Sequence, residues 1–284
     1  MFLFKRRSKK TVSTNPTTNT DASTVCAAAA SDVGLCRGNN EDNFILYKQS
    51  NPDCLNHCEA FAKASTKSWF FIGVFDGMGG GEIGEVAAKT AVITFLEAIE
   101  RIDHSSSKTQ VDCAMRQAFL DANNKVIDLQ KHHQVFGTTG TVVGSNGDLI
   151  KVYHLGDSRA YLMRDQKLVQ LTRDQTLAQM KMDVGIYQPD APGAEAEKHQ
   201  LTEYIGKDPT RKYLRPLESD WFPLQSGDGI LLCSDGLYDM CSDLQIRDLL
   251  LSHSSPSEKV KALTAAALSA GGLDNVTCIY MVQP

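Results

Sequence analysis

The stretch Phe70-Phe71-Ile72-Gly73-Val74-Phe75-Asp76-Gly77-Met78-Gly79-Gly80-Gly81-Glu82-Ile83-Gly84 runs from an apolar segment of strand length into a carboxylate and then a glycine-rich loop. Gly79, Gly81 and Gly84 fit the G-x-G-x-x-G spacing that seats a dinucleotide pyrophosphate, with Glu97 and Glu100 at the distance of a ribose-binding acid. That reading requires a tight turn at the end of the strand and a parallel strand directly after the helix. Here Asp76 and Met78 precede the first glycine, and the chain passes from Arg101 through His104-Ser105-Ser106-Ser107 into a second helical pattern. The βαβ unit is rejected. A phosphate-binding P-loop is rejected too, because Glu85 follows Gly84 where Lys and Ser/Thr are needed. What remains is a buried strand that delivers Asp76 to the rim of a core.

Working outward, apolar runs of strand length recur at Asn43–Tyr47, Trp69–Phe75, Thr138–Ser145, Leu149–Leu155, Arg159–Met163, Gly229–Cys233 and Val276–Val282. Ser145-Asn146-Gly147-Asp148 between two of them predicts an antiparallel hairpin closed by a type I′ turn. Apolar residues at i, i+3, i+4 and i+7 predict helices through Val92, Phe95, Leu96 and Ile99, through Val111, Ala114, Met115 and Ala118, and through Val260, Leu263, Thr264 and Ala267. A further helix is expected near Asp174–Asp183, and a last helix pair brackets Ser254–Ser257. From Leu171 to Phe222, Pro189, Pro192, Pro209 and Pro216 break the pattern into an irregular excursion. Helices grouped around antiparallel hairpins indicate α+β layers.

Composition narrows the function. The 284 residues are 42% hydrophobic and 22% charged, as in an ordinary globular protein. Five of the 29 basic residues, Lys5, Arg6, Arg7, Lys9 and Lys10, fall in residues 1–20, which hold no acid and read as a flexible tail. The rest therefore sets 24 basic against 34 acidic groups, a body that repels nucleic acid and anionic membranes. No apolar run is long enough to span a bilayer. Eight scattered cysteines predict reduced thiols in a cytoplasm, and Cys54-Leu55-Asn56-His57-Cys58 reads as a loop with incidental thiols rather than a zinc clip.

The acids at strand ends form a set. Asp76 follows Phe70–Phe75, Asp235 follows Ile230–Cys233, Asp274 precedes the terminal strand, and Asp157 stands in Leu155-Gly156-Asp157-Ser158-Arg159. Hard carboxylate oxygens with glycines that admit close backbone approach suit Mg2+ or Mn2+. Arg37-Gly38-Asn39-Asn40-Glu41-Asp42 adds a guanidinium fork for phosphate oxygens, with Glu41 and Asp42 as acceptors for metal-bound water.

These segments resemble the motifs of the metal-dependent serine/threonine protein phosphatases of type 2C in their bacterial form. The matching motifs are Arg37-x-x-Asn40-Glu41-Asp42, Val74-Phe75-Asp76-Gly77-Met78-Gly79-Gly80, Gly137-Thr138-Thr139, Gly156-Asp157-Ser158-Arg159-Ala160-Tyr161-Leu162, Ser234-Asp235-Gly236-Leu237 and Asp274-Asn275-Val276-Thr277, in family order. The resemblance implies a four-layer α/β/β/α fold, two antiparallel sheets forming a β-sandwich flanked by helix pairs. It implies one catalytic domain over 21–284 with a flap at about 177–206 that selects substrate. Asp76 then bridges two ions, the Gly77 carbonyl is a backbone ligand, and Asp235 and Asp274 hold the second ion. Asp157 serves a third, weaker site with Asp235, and Arg37 holds the substrate phosphate with Glu41 and Asp42 in the water shell. The activity implied is hydrolysis of phosphoserine or phosphothreonine by metal-activated water without a phosphoenzyme, by a cytoplasmic monomer that reverses a serine/threonine kinase.

Three positions depart from the pattern: Met78 stands where animal relatives carry a proposed acid histidine, Gln175 replaces a frequent His, and Phe136 replaces Met. No histidine is assigned a role, and the last two are expected to alter the lining of the site. A pseudophosphatase that only binds phosphorylated partners is the alternative, disfavoured by the intact carboxylates. A nuclease is disfavoured by the acidic body.

Overall fold

The computed structural model describes residues 24–51, 53, 55–79, 82–130, 135–188, 191–208 and 214–283; the basic tail and Cys54 lie outside them. Elements are numbered in chain order. One sheet has the order β11 (Lys167–Gln170), β10 (Arg159–Arg164), β14 (Gly229–Cys233), β15 (Val276–Val282), β1 (Thr24–Asp32) and β4 (His57–Ser65). The other runs β12 (Leu217–Glu218), β9 (Leu149–Leu155), β8 (Gly140–Ser145), β5 (Phe70–Phe75), β2 (Asn43–Leu46) and β3 (Gln49–Ser50), with β13 (Phe222–Pro223) also on β9. All pairings in both sheets are antiparallel.

Side-chain alternation sorts these strands into layers. Phe70, Ile72 and Val74 of β5 meet Ile230 and Leu232 of β14 and Ile279 and Met281 of β15 in the core between the sheets. Their neighbours Phe71 and Phe75 turn the other way, against Phe95 of α1 (Glu82–Ile99) and Met115 and Phe119 of α2 (Lys108–Leu129). Leu231, Cys233 and Cys278 likewise leave the sandwich to meet Leu237 of α5 (Asp235–Tyr238), Ile246 and Leu250 of α6 (Asp243–Ser252) and Val260 and Leu263 of α7 (Pro256–Ser269). Three cores thus separate four layers, α/β/β/α. Burying each large side chain contributes about 1.5–3 kcal/mol. Ser107 with Gln110, Ser242 with Gln245 and Ser255 with Glu258 form reciprocal capping boxes that fix the starts of α2, α6 and α7.

Four features differ from the sequence reading. β1, whose centre is Cys26-Ala27-Ala28-Ala29-Ala30, went unread because alanine favours helix; here its small side chains let α7 lie close on one face of the strand while the other joins the sandwich core. β4 went unread because it is an edge strand with Ala62 as its one buried residue. The 145–150 hairpin exists, but among its turn residues only Gly147 has positive φ, so the turn is not type I′; that geometry occurs instead at Asp165-Gln166 between β10 and β11, where both residues have positive φ. The excursion contains two helices, α3 (Leu177–Asp183) and α4 (Pro192–Glu197).

Register places the acids at one end of the stack. Asn43 pairs with Phe75, so the start of β2 meets the end of β5. Cys233 pairs with both Arg159 and Cys278, so the end of β14 meets the starts of β10 and β15.

Candidate metal centre

At that end lies a cavity of about 740 Å³ lined by Arg37, Glu41, Asp76, Gly77, Asp157, Asp235 and Asp274, among others. Asp76 leaves β5 with its backbone N–H donating to Thr139 Oγ1 at 2.9 Å, while the Thr139 N–H donates to the Asp76 carbonyl at 2.8 Å. A short ladder of β6 (Gly77–Met78) and β7 (Gly137–Thr138) continues the clamp. Asp235 opens α5, and Asp274 is tied to the Arg37 loop through Asn275, whose Nδ2 donates to the carbonyls of Val33 and Asn39.

The glycines that mimic a dinucleotide motif serve Glu41. A Cβ on Gly84 would overlap the Glu41 carboxylate, and one on Gly77 would strike the Glu41 carbonyl. The start of α1 therefore packs directly on the Arg37–Asp42 segment, with the Glu41 N–H donating to Asn275 Oδ1 at 2.8 Å. Asp42 is placed otherwise than expected. It sits beneath the cavity rather than on its wall, 1% exposed, and accepts from Ser234 Oγ at 2.7 Å across 192 residues.

The electrostatics are those of an anion cluster. Burial, with repulsion from Asp42, Asp235, Asp157 and Asp274, holds the Asp76 carboxyl well above the usual range. Burial also pushes Asp42 up to about 7 against the Ser234 and Thr277 hydroxyls that favour its charge. Asp157 is raised by burial and by Asp235, and Asp274 is raised by burial although Arg37 offsets part of the effect. Asp42 Oδ1 is buried with no hydrogen-bond partner. Such a set is costly to hold charged without cations, and its oxygen-only character fits Mg2+ or Mn2+. Arg37, about half exposed, donates from Nη2 to Asp274 Oδ2 at 2.5 Å.

The flap supplies the opposite wall through Glu195, Lys198, His199 and Leu201. His199, a residue with no role assigned in the sequence analysis, stands between Asp235 and Asp239, and hydrogen bonding to these two raises its pKa to about 10. Its only sequence signal is its place in the flap. Met78 lines the cavity, as its motif position suggests. Gln175 and Phe136 do not. Gln175 accepts the Gly156 N–H at 2.8 Å and donates to the Arg215 carbonyl, bracing the Asp157 turn; Phe136 is buried in the core beneath α1 and α2.

A sequence profile of the family described as Protein phosphatase 2C matches residues 33–181. The serine/threonine protein phosphatase PstP of Mycobacterium tuberculosis (strain ATCC 25618 / H37Rv) is 32% identical over 252 residues, 89% of this chain but 44% of PstP, so the chain spans less than half of that relative. The protein phosphatase PhpP of Streptococcus pneumoniae serotype 2 (strain D39 / NCTC 7466) is 31% identical over 254 residues, 87% of this chain and 92% of PhpP. Among solved structures, the PstP catalytic domain in complex with two manganese ions superimposes with a TM-score of 0.70 at 30% identity, covering 91% of this chain and 98% of that one. The Streptococcus agalactiae serine/threonine phosphatase, at 24% identity, shares the fold with a TM-score of 0.79, covering 92% and 100%. No described helix is long and apolar enough to cross a membrane. The profile match takes in the Arg37 loop, Asp76 and Asp157, the PhpP relationship extends over nearly the whole length of both chains, and the chain belongs to the protein phosphatase 2C family.

Proposed function

We propose that this protein is a metal-dependent phosphatase of phosphoserine and phosphothreonine in proteins, reversing a serine/threonine kinase. The observation that carries the reading is the convergence of Asp76, Asp157, Asp235 and Asp274, from four separate segments, on one cavity that also holds Arg37. Activity named for the relatives and manganese bound by the PstP domain support it.

In this reading Asp76, the Gly77 carbonyl, Asp235 and Asp274 hold two Mn2+ or Mg2+ ions, and Asp157 contributes to a third. The ions would supply a water of lowered pKa and neutralise charge developing on phosphorus oxygens. The chain does the rest. Arg37, on the rim, exchanges Asp274 for two phosphate oxygens through its planar fork and orients the phosphoryl group. Glu41, fixed by Asn275 and by the missing side chains of Gly77 and Gly84, orders water beside it. Asp42 tensions the seam below through Ser234. The flap selects which phosphorylated segment enters. The reading takes the enzyme to be a cytoplasmic monomer.

The test is phosphate release from p-nitrophenyl phosphate and from a phosphothreonine peptide. Release that requires Mn2+ or Mg2+ and stops with a chelator is expected. Folded protein that binds the phosphopeptide without turnover at any metal concentration would overturn the reading in favour of a binding module.

A further inference from the structure

His199 lies just past α4, with Nδ1 3.3 Å from Asp235 Oδ2 and Nε2 3.2 Å from Asp239 Oδ2. Asp157 completes a group: one ligand atom each from Asp157, His199 and Asp235 lie within 4.8 Å of one another. Asp157 is only 4% exposed, lines the cavity, and its carboxylate makes no side-chain hydrogen bond among the described residues. A carboxylate that deeply buried, lining a cavity and hydrogen-bonded only by its own backbone N–H, is costly to keep charged without a cation beside it.

We propose that His199 Nδ1 is a direct ligand of a cation held with Asp157 and Asp235, and that this mixed nitrogen and oxygen site takes a transition-metal dication such as Mn2+ in preference to Mg2+. The proposal deepens the metal reading above and rests on it for the two carboxylates.

Two features of the geometry favour ligation over a plain ion pair. Asp239 stands at the second ring nitrogen, so when Nδ1 gives up its proton to turn its lone pair on a cation beside Asp235, Nε2–H still donates to Asp239; a carboxylate on the far nitrogen is the usual support of a metal-bound imidazole. The histidine is also held in place. The Leu177 N–H donates to the Gln200 carbonyl at 2.8 Å, the Thr202 N–H donates to the Gln175 carbonyl at 2.8 Å, and Lys198 Nζ pairs with Asp239 at 3.3 Å. Selectivity follows from the donor set, because Mg2+ favours oxygen and keeps its waters whereas imidazole suits first-row transition ions. Occupation of this site fastens the flap to α5.

The experiment counts Mn2+ ions by equilibrium dialysis and reads 14N modulation in the electron spin echo of the bound Mn2+. The wild-type chain is expected to bind three ions, with 14N coupling from the weakest. In His199→Ala that coupling disappears and the weakest Kd rises about 10–100-fold, while the two tighter sites are unchanged. Asp239→Asn, which keeps the imidazole but alters its support, weakens the same site about 10-fold. Mg2+ in 20-fold excess leaves the 14N signal in place. Three bound ions without 14N coupling, or the same coupling in His199→Ala, would overturn the proposal. Saturation at two ions overturns it and leaves the phosphatase reading standing; no binding at all overturns both. Should His199→Ala fail to fold, the wild-type spectrum and Asp239→Asn decide.

Discussion

Arg37 and Asp274, 237 residues apart in sequence, meet through a 2.5 Å hydrogen bond at the mouth of the acidic cavity. The guanidinium offered to a substrate phosphate is therefore parked on a carboxylate offered to a cation. Because the pair lies at the surface, its own contribution to stability is small, and the arginine is available for exchange.

Arg37→Ala accordingly leaves the fold intact and raises KM for a phosphothreonine peptide, with kcat/KM falling about 10–100-fold, the worth of one or two charge-assisted hydrogen bonds of about 1.5–3 kcal/mol. Steady-state kinetics check this. An unchanged kcat/KM would remove Arg37 from phosphate recognition.

Asp76→Asn and Asp235→Asn each remove a charged oxygen from the cluster without changing side-chain size. Metal-dependent turnover is expected to fall about a thousandfold or more, matching the several kcal/mol that metal ions supply. Asp76→Asn also relieves a buried like-charge contact, so without metal at pH 8 this variant should melt no lower than the parent. Normal turnover in either variant would refute the ligand assignment.

The pH dependence of stability has a defined sign. Asp42 and Asp76 have folded pKa values raised above the ordinary 3.8, Asp42 to about 7, so between pH 4 and 7 the folded chain holds protons that the unfolded chain releases. Stability therefore falls as pH rises through that window. His199, raised from 6.5 to about 10, acts in the same direction above pH 6.5. The metal-free protein should thus show a higher Tm at pH 6 than at pH 8. Saturating Mn2+, which binds the deprotonated carboxylates, should reduce or reverse the difference, and its affinity should weaken as pH drops below 7. Calorimetry at both pH values, with and without Mn2+, measures each term.

Gly84→Ala adds a methyl group where the Glu41 carboxylate lies. Removing a helical glycine would ordinarily stabilise by up to about 1 kcal/mol, but overpacking costs about 1–3 kcal/mol. A net loss is expected, read as a Tm lowered by a few degrees, together with reduced activity as Glu41 is displaced. A raised Tm with full activity would show that the contact is slack.

Much of this arrangement is written locally. The strands that end in Asp76 and Asp235 are continuous apolar runs, so their positions and the acids after them are legible from period and punctuation. β1 is not, because an alanine tract has no local reason to extend; it becomes a strand through pairing with β15 and β4. Asn146-Gly147 carries a strong turn signal, yet Asn146 Oδ1 accepts the Leu149 N–H and the loop settles into another geometry. Asp42 and His199 show the same limit at the site. Nothing near Asp42 says that Ser234 will cover it, and nothing near His199 says that the flap will fold back onto Asp235.

The acids that face the cavity come from both sheets. Asp76 follows a strand of one sheet, Asp235 and Asp274 flank strands of the other, and Asp157 sits where β9 of the first hands over to β10 of the second. A cation held among them would therefore act as a rivet through the edge of the sandwich, closing a loop between two sheets whose strands do not pair with one another. Shape changes in the apolar layer between the sheets, from residues such as Val74 or Leu232, would then register as altered metal affinity at a distance, so the cavity is also a gauge of how the two sheets sit.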